Sequence, residues 1–273
     1  MVKKKVVDVH GLIKSKNPKL LRWMPRFILS YLKRILHEDE LNKLMDDNSH
    51  LVDAEFCQRV VDYLNMKVVI KGMENLPESG PAIVAMNHPL GGMDAVAFVA
   101  GIKEKRKDIR FIVNDLLMNI DSLKNLFVGV NKHGKNIPQV REQIRNIFDS
   151  DHMVCIFPAG MVSRKTKGVV SDLVWKKTFI QYGREFNRPI VPVYIAGELS
   201  NFFYRLSNFR KFIGIKTNIE MLYLADELIK QRNRTITFTI GKPIYGKDID
   251  SSLNDVQAAE WFRKHVHEFK NQE

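Results

Sequence analysis

Apolar residues recur every three or four positions through the first quarter of this chain, and after about residue 65 short apolar runs alternate with helical-period segments. Leu20, Leu21, Met24, Phe27, Ile28, Tyr31, Leu32 and Ile35 share one helical face, which Trp23 and Leu29 widen. Lys19, Arg22, Arg26, Lys33 and Arg34 fill much of the rest. Asn17-Pro18 reads as an N-cap followed by proline at the first helical position. Pro25 predicts a kink, or a split into a helical pair. Residues 53–64 read as a further helix.

Downstream, apolar runs bounded by turn residues predict strands at 68–70, 82–85, 110–113, 127–130, 153–157, 190–196, 219–224 and 235–240. Helices are expected at 94–105, 116–125, 138–148, 173–186, 199–212 and 254–270, the last capped by Asn254 or Ser252. Strand–helix alternation argues for an α/β fold. The expected architecture is an αβα sandwich with a mixed, largely parallel central sheet, preceded by a basic amphipathic helical segment. The boundary falls between residues 1–50 and 51–273.

Composition narrows the class. With 273 residues, 45% of them hydrophobic, the chain can bury a sizeable core. It has no run of eighteen apolar residues, so no membrane-crossing helix is expected. Met1–Asp8 lacks a following apolar stretch, which argues against a secretory signal. Cys57 and Cys155 have no metal-ligand spacing and read as reduced core residues of a cytoplasmic protein. The net charge of +12 is uneven: within residues 1–37, ten Lys and Arg face the single acid Asp8. That excess implies an acidic partner surface. Because the basic helix carries a strong apolar, aromatic face, an anionic membrane surface is expected rather than nucleic acid.

Candidate chemistry concentrates in Asn87-His88-Pro89-Leu90-Gly91-Gly92-Met93-Asp94, between an apolar strand and a helix. Pro89 pushes His88 to an extended backbone, and the two glycines allow a return that brings Asp94 back to the ring. A histidine with a carboxylate partner is what proton abstraction from a hydroxyl needs. The imidazole takes the proton, while the carboxylate fixes its tautomer and stabilises the imidazolium.

Further segments in the same order strengthen the reading: Phe127-Val128-Gly129-Val130-Asn131-Lys132, Ile156-Phe157-Pro158-Ala159-Gly160-Met161-Val162-Ser163 and Ile190-Val191-Pro192-Val193-Tyr194. Lys71-Gly72-Met73-Glu74-Asn75-Leu76-Pro77 and Gly241-Lys242-Pro243-Ile244 flank them. Across about residues 65–247, this pattern resembles the glycerolipid and lysophospholipid acyltransferases. Two departures stand out. Five residues separate His88 from Asp94 where the family has four. In the third block, Ala159, Met161 and Val162 replace the family's Glu, Thr and Arg.

The resemblance implies an O-acyltransferase of membrane-lipid synthesis, with residues 51–273 as its acyltransferase domain. His88 would be the general base and Asp94 its orienting partner. No cofactor is implied; the co-substrate would be an acyl thioester of acyl carrier protein or coenzyme A. Gly160 and Ser163 would belong to the substrate site, with backbone N–H groups near Gly91-Gly92 or Gly160 facing the oxyanion. Lys132 and Arg164 would hold the acceptor's anionic headgroup. The acceptor would be a lysophosphatidate-like lipid or, given the altered third block, a mono-acylated amino-acid lipid with a hydroxyl on its fatty chain. The protein is expected to be cytoplasmic, and peripheral on the inner face of the cell membrane.

Rival readings are a basic nucleic-acid-binding protein, which lacks any recognisable module, and a lipid serine hydrolase using Ser163, which lacks the Gly-x-Ser-x-Gly elbow. A metal site of His88, Asp94 and His133 lacks helical ligand spacing.

Overall fold

The computed structural model describes residues 5–130 and 137–272. In chain order the elements are α1 (Val9–Lys16), α2 (Pro18–Trp23), α3 (Arg26–Ile35), α4 (Glu38–Asp47), α5 (Asp53–Tyr63), β1 (Lys67–Lys71), β2 (Ala82–Met86), α6 (Gly92–Ile102), β3 (Ile109–Asn114) and β4 (Phe127–Val130). They continue with α7 (Ile137–Asp149), β5 (Met153–Ile156), β6 (Arg164–Thr166), β7 (Val169–Ser171), α8 (Thr178–Glu185), β8 (Ile190–Ala196), α9 (Asn201–Phe212), α10 (Leu224–Ile229), β9 (Thr235–Ile240) and α11 (Asp255–Glu268).

Two compact units emerge: Val52–Glu198 with Asn233–Glu273, and Met1–Leu51 with Leu199–Arg232. The first is an α/β sandwich on a seven-stranded sheet of order β1-β9-β8-β2-β5-β3-β4. Neighbours pair in parallel throughout except β8 and β9, which run antiparallel. The sheet is therefore mixed and mostly parallel, as the alternating pattern implies. All five residues of β2 are buried, as a central strand covered on both faces requires. One face packs Ile83, Ala85, Val154 and Ile190 against Phe148 of α7, Phe179 of α8 and Phe262 of α11. On the other face, α5 and α6 pack together, and α6 meets β1 where Gly101 leaves room for Val68 and Ile70.

The second unit is helical. Asn17 caps α2 by accepting from the Leu20 N–H at 3.0 Å, Pro18 opens the helix, and Pro25 separates α2 from α3, as the spacing predicts. Besides the expected N-terminal segment, this unit takes in Leu199–Arg232. The link is polar: Arg232 pairs with Glu40 at 3.0 Å, His37 Nε2 meets Asp226 at 3.1 Å, and the Tyr31 and Tyr223 hydroxyls lie 2.6 Å apart. Among the described residues, no helix is long and apolar enough to cross a membrane.

Three local expectations fail, each for a physical reason. The strand expected at 219–224 is a 3-10 turn, Ile219–Tyr223, leading into α10; helical winding turns Glu220 inward onto Arg210. The helix expected at 116–125 breaks into two 3-10 turns, Asp115–Asn119 and Asp121–Leu123. Asn119, Asp121, Ser122 and Asn125 are poor helix formers. The helix expected from residue 173 starts at Thr178, because Asp172 and Trp175 are bonded to each other and the Lys176 N–H donates to the Pro158 carbonyl at 3.0 Å. The basic stretch at 164–168 lies in the hairpin β6–β7. Lys167 and Gly168 both have positive φ at its turn, as a twisted two-residue hairpin needs.

Candidate active site

Adjacent parallel strands β2 and β5 end side by side, and the loops that leave their carboxyl ends build the site. Asn87 closes β2 by bonding the neighbouring strand in both directions: its side chain donates to the Ile195 carbonyl at 2.9 Å and accepts from the Ile195 N–H at 2.6 Å. His88 follows. Its backbone N–H donates to Asp172 Oδ1 at 3.2 Å, and its carbonyl accepts from the Ser163 N–H at 2.8 Å. The loop then doubles back through Gly91, whose φ of +71° is a conformation that side chains rarely adopt. This reversal absorbs the extra residue between His88 and Asp94. It returns Asp94, in the first turn of α6, to the ring.

His88 Nδ1 lies 2.9 Å from Asp94 Oδ2, and the same oxygen accepts the Leu90 N–H at 3.0 Å. The ring stacks on Phe157, centroids 4.0 Å apart and planes at 20°. It is 17% exposed while Asp94 is fully buried. With Asp94 ionised, Nδ1 carries the hydrogen and Nε2 is the basic nitrogen. Nε2 has no hydrogen-bond partner among the described residues. Burial pushes the Asp94 carboxyl above the usual carboxylate range, against the opposing pull of His88 and the Leu90 N–H. Its Oδ1 is buried without a hydrogen-bond partner among the described residues. Such an arrangement can take a proton from a hydroxyl at Nε2 and stabilise the imidazolium that results.

The second loop is held by Asp172. It accepts from the His88 N–H, from the Ser163 hydroxyl at 2.5 Å, and from Trp175 Nε1 at 2.8 Å. This buried acid ties the His88 loop to the segment after β5. Gly160 sits in the turn that follows Phe157, with φ +65°, and its N–H donates to the Phe157 carbonyl at 2.9 Å. That amide is therefore engaged within its own turn. Lys176 is exposed, and its Nζ would lie 3.3 Å from a Cβ placed on Gly160.

The structure thus brings His88, Asp94, Gly160 and Ser163 to the carboxyl ends of two adjacent central strands. Arg164 behaves differently. It is 4% exposed, and its guanidinium donates to the Val162 carbonyl at 2.8 Å and to the Ser163 carbonyl at 3.4 Å, so it braces the hairpin's entry. Its neighbour Lys165 pairs with Glu198 at 3.1 Å. Lys132 and His133 lie outside the described residues. The strand preceding them, β4, stands three places from β2, roughly 14 Å across the sheet. Asp172, Trp175 and Lys176 are absent from the motif reading. The signal that could have found Asp172 is a lone acid inside the apolar stretch Val169 to Trp175.

Residues 11–273 match the family described as Acyltransferase. The lyso-glycine lipid O-acyltransferase of Phocaeicola vulgatus is 42% identical over 264 residues, which is 96% of this chain and 94% of that protein. The protein of the same name from Bacteroides thetaiotaomicron is also 42% identical, over 96% and 97% of the two chains. The crystal structure of the 1-acyl-sn-glycerophosphate (LPA) acyltransferase PlsC from Thermotoga maritima is similar with a TM-score of 0.52. It covers 96% of this chain and 93% of that one; at 18% identity the likeness is one of fold.

Proposed function

The chain belongs to this acyltransferase family, and on that premise we propose that it moves a fatty acyl group from a thioester to the hydroxyl of a mono-acylated amino-acid lipid of the glycine type. The observation that carries this reading is the likeness to two lyso-glycine lipid O-acyltransferases along nearly the whole of each chain. The altered third block, with Ala159, Met161 and Val162, favours the same acceptor over a phosphate-bearing one.

His88 Nε2 takes the proton of the acceptor hydroxyl as its oxygen attacks the thioester carbonyl carbon. A C–O bond forms and the carbonyl oxygen becomes an oxyanion. Collapse breaks the C–S bond, and the imidazolium returns its proton to the departing thiolate. Asp94 holds the ring and its charge. With the Gly160 amide engaged, the first-turn amides of α6 at Gly92 and Met93 are the donors for the oxyanion. The carboxylate of the acceptor is held by Lys176 beside Gly160, rather than by the buried Arg164. Lys132 is a second cation for that role. The thiol comes from coenzyme A or acyl carrier protein.

Transfer is direct. Ser163 donates its hydroxyl hydrogen to Asp172, which opposes a serine-hydrolase reading in which His88 would activate it. Burial pushes the Cys57 thiol up to about 12 and that of Cys155 well above its usual range, so neither supplies a thiolate. The basic N-terminal helices, with Trp23 84% exposed, seat the enzyme on an anionic membrane face where both lipids reside.

The test supplies purified enzyme with an acyl thioester and, in parallel, a mono-acylated hydroxy-fatty-acyl glycine and lysophosphatidate. Mass spectrometry should find the diacyl glycine lipid formed at least about tenfold faster at equal concentration. Faster acylation of lysophosphatidate would overturn the acceptor assignment.

A further inference from the structure

Helix α9 ends in a tip that no proposed step uses. Phe209, Phe212, Ile213 and Ile215 are all exposed there, Phe212 to 86%. One exposed apolar side chain is ordinary; four within seven residues make a patch. From Leu199 to Ile219 the sequence carries Arg205, Arg210, Lys211 and Lys216 and no acid.

Arg210 is the buried member of that set. Its Nε and Nη2 bond the fully buried Glu220 at 2.5 and 3.0 Å, Nη2 also reaches Asn218 Oδ1, and Nη1 donates to the Ile215 carbonyl at 3.0 Å. Gly214, with φ +77°, reverses the chain, and the Ile215 N–H returns to the Arg210 carbonyl at 2.9 Å. The apolar tip is thus braced from within by a neutralised ion pair, while Lys211 and Lys216 stay exposed on either side of it. The tip also connects to the N-terminal helices. Tyr31 of α3 bonds Tyr223, whose ring packs edge-on against exposed Phe202 of α9, centroids 4.9 Å apart.

A rigid apolar tip flanked by lysines and free of acids matches a bilayer with anionic headgroups: the side chains enter the acyl region and the ammonium groups meet the phosphates. We propose that residues 209–216 form a second membrane-inserting element, distant in sequence from the N-terminal helices and built into the same helical unit. The inference rests on the reading that this enzyme works at an anionic membrane surface.

The experiment uses the full chain with Phe212→Cys carrying an environment-sensitive fluorophore; the native Cys57 and Cys155 are buried. Phe27→Cys and Val256→Cys serve as labelled references on α3 and on the α/β unit. Vesicles are phosphatidylcholine with or without phosphatidylglycerol. The label at 212 should shift to the blue on phosphatidylglycerol vesicles and be quenched by lipids brominated on their acyl chains, while the label at 256 should not respond. Phe209→Ser with Phe212→Ser should lower vesicle partitioning about tenfold or more, with circular dichroism and turnover on detergent-dispersed acceptor unchanged. A silent label at 212 beside a responding label at 27 would overturn the second element and leave the membrane reading standing. A blue shift without lipid that grows with protein concentration would overturn it in favour of self-association. Absence of wild-type binding to either vesicle would overturn both.

Discussion

The α/β unit and the helical unit treat charge and apolar surface in opposite ways. The first carries 26 Lys and Arg against 22 Asp and Glu, a net of +4; the second, with under a third of the residues, carries 17 against nine, a net of +8. Of the twenty exposed large hydrophobic side chains among the described residues, twelve lie on the smaller unit. A site that moves protons needs polar groups taken out of water and held by few, directed partners. A surface that meets lipid needs cations and apolar side chains left in the open. Under the proposed function, these needs fall to different segments.

Two buried carboxylates show the contrast at the scale of single atoms. Asp94, in the α/β unit, has one oxygen shared between His88 and the Leu90 N–H and another with no partner among the described residues, and burial raises its carboxyl. Glu38, in the helical unit, is also buried, and burial pushes it the same way. However, Lys5 at 2.9 Å, the Val9 N–H at 3.1 Å and Lys33 at 3.4 Å together pull it below the usual range. Glu38 is fully served and stabilises its surroundings. Asp94 has one oxygen without such a partner among the described residues, and its other oxygen faces His88.

The largest effect that tests this contrast is catalytic. His88→Ala should reduce turnover about 10²–10⁴-fold, the usual contribution of a general base, while the thermal melt stays near that of the wild type. Near-normal turnover would remove the proton-transfer role from the α/β unit altogether. Asp94→Asn should also be severely slowed, because the imidazolium loses its counter-charge.

Stability should respond to the two carboxylates with opposite signs. Glu38→Gln should destabilise the helical unit by about 1–2 kcal/mol at neutral pH, discounted because both lysines are partly in solvent. A lowered folded-state pKa gives stability that is present above the unfolded value and lost as pH falls through the folded one. The deficit of Glu38→Gln should therefore shrink on acidification below about pH 4.5. Asp94 has a raised folded-state pKa, so its ionisation costs stability as pH rises. Asp94→Asn should melt no lower than the wild type at neutral pH, and any advantage should fade on acidification. Matched melts of both variants across pH check both signs. A stability loss in Asp94→Asn comparable to that of Glu38→Gln would make Asp94 a structural group like its counterpart.

The two regions also differed in how far the sequence exposed them. Strands β2, β5 and β8 fall within a residue of where apolar runs between turn residues put them, because a strand buried on both faces needs little else. His88 and Asp94 were legible because one seven-residue segment holds both. Asp172 and Lys176 were not. They reach the site through bonds to residues 18 or more positions away, the His88 N–H and the Pro158 carbonyl, which no local spacing encodes. Arg164 misled for the converse reason: it stands beside the third block in sequence, but its guanidinium turns back onto the backbone of that block. In the helical unit, the amphipathic face from Leu20 to Ile35 was plain. Its union with residues 199–232 was invisible, since it depends on pairs such as Glu40 with Arg232 across 192 positions.

The smallest expected effect bears on where the α/β unit keeps exposed charge. If Lys176 holds the acceptor's carboxylate, Lys176→Ala should raise KM for the acceptor about two- to fivefold, the range for a contact made in solvent. KM for the acyl donor and the turnover number should stay as they are, because the ammonium does not meet the reacting atoms. Lys176→Arg should restore most of the loss, since a guanidinium also grips a carboxylate. Raising the ionic strength should shrink the gap between wild type and Lys176→Ala, as screening removes what the alanine already lacks. Arg164→Ala is the control: its buried guanidinium braces the hairpin entry, so its loss should lower the melting temperature before it changes acceptor KM. If Arg164→Ala raises acceptor KM and Lys176→Ala does not, the headgroup contact returns to the third block and the charge beside Gly160 is only solvated surface.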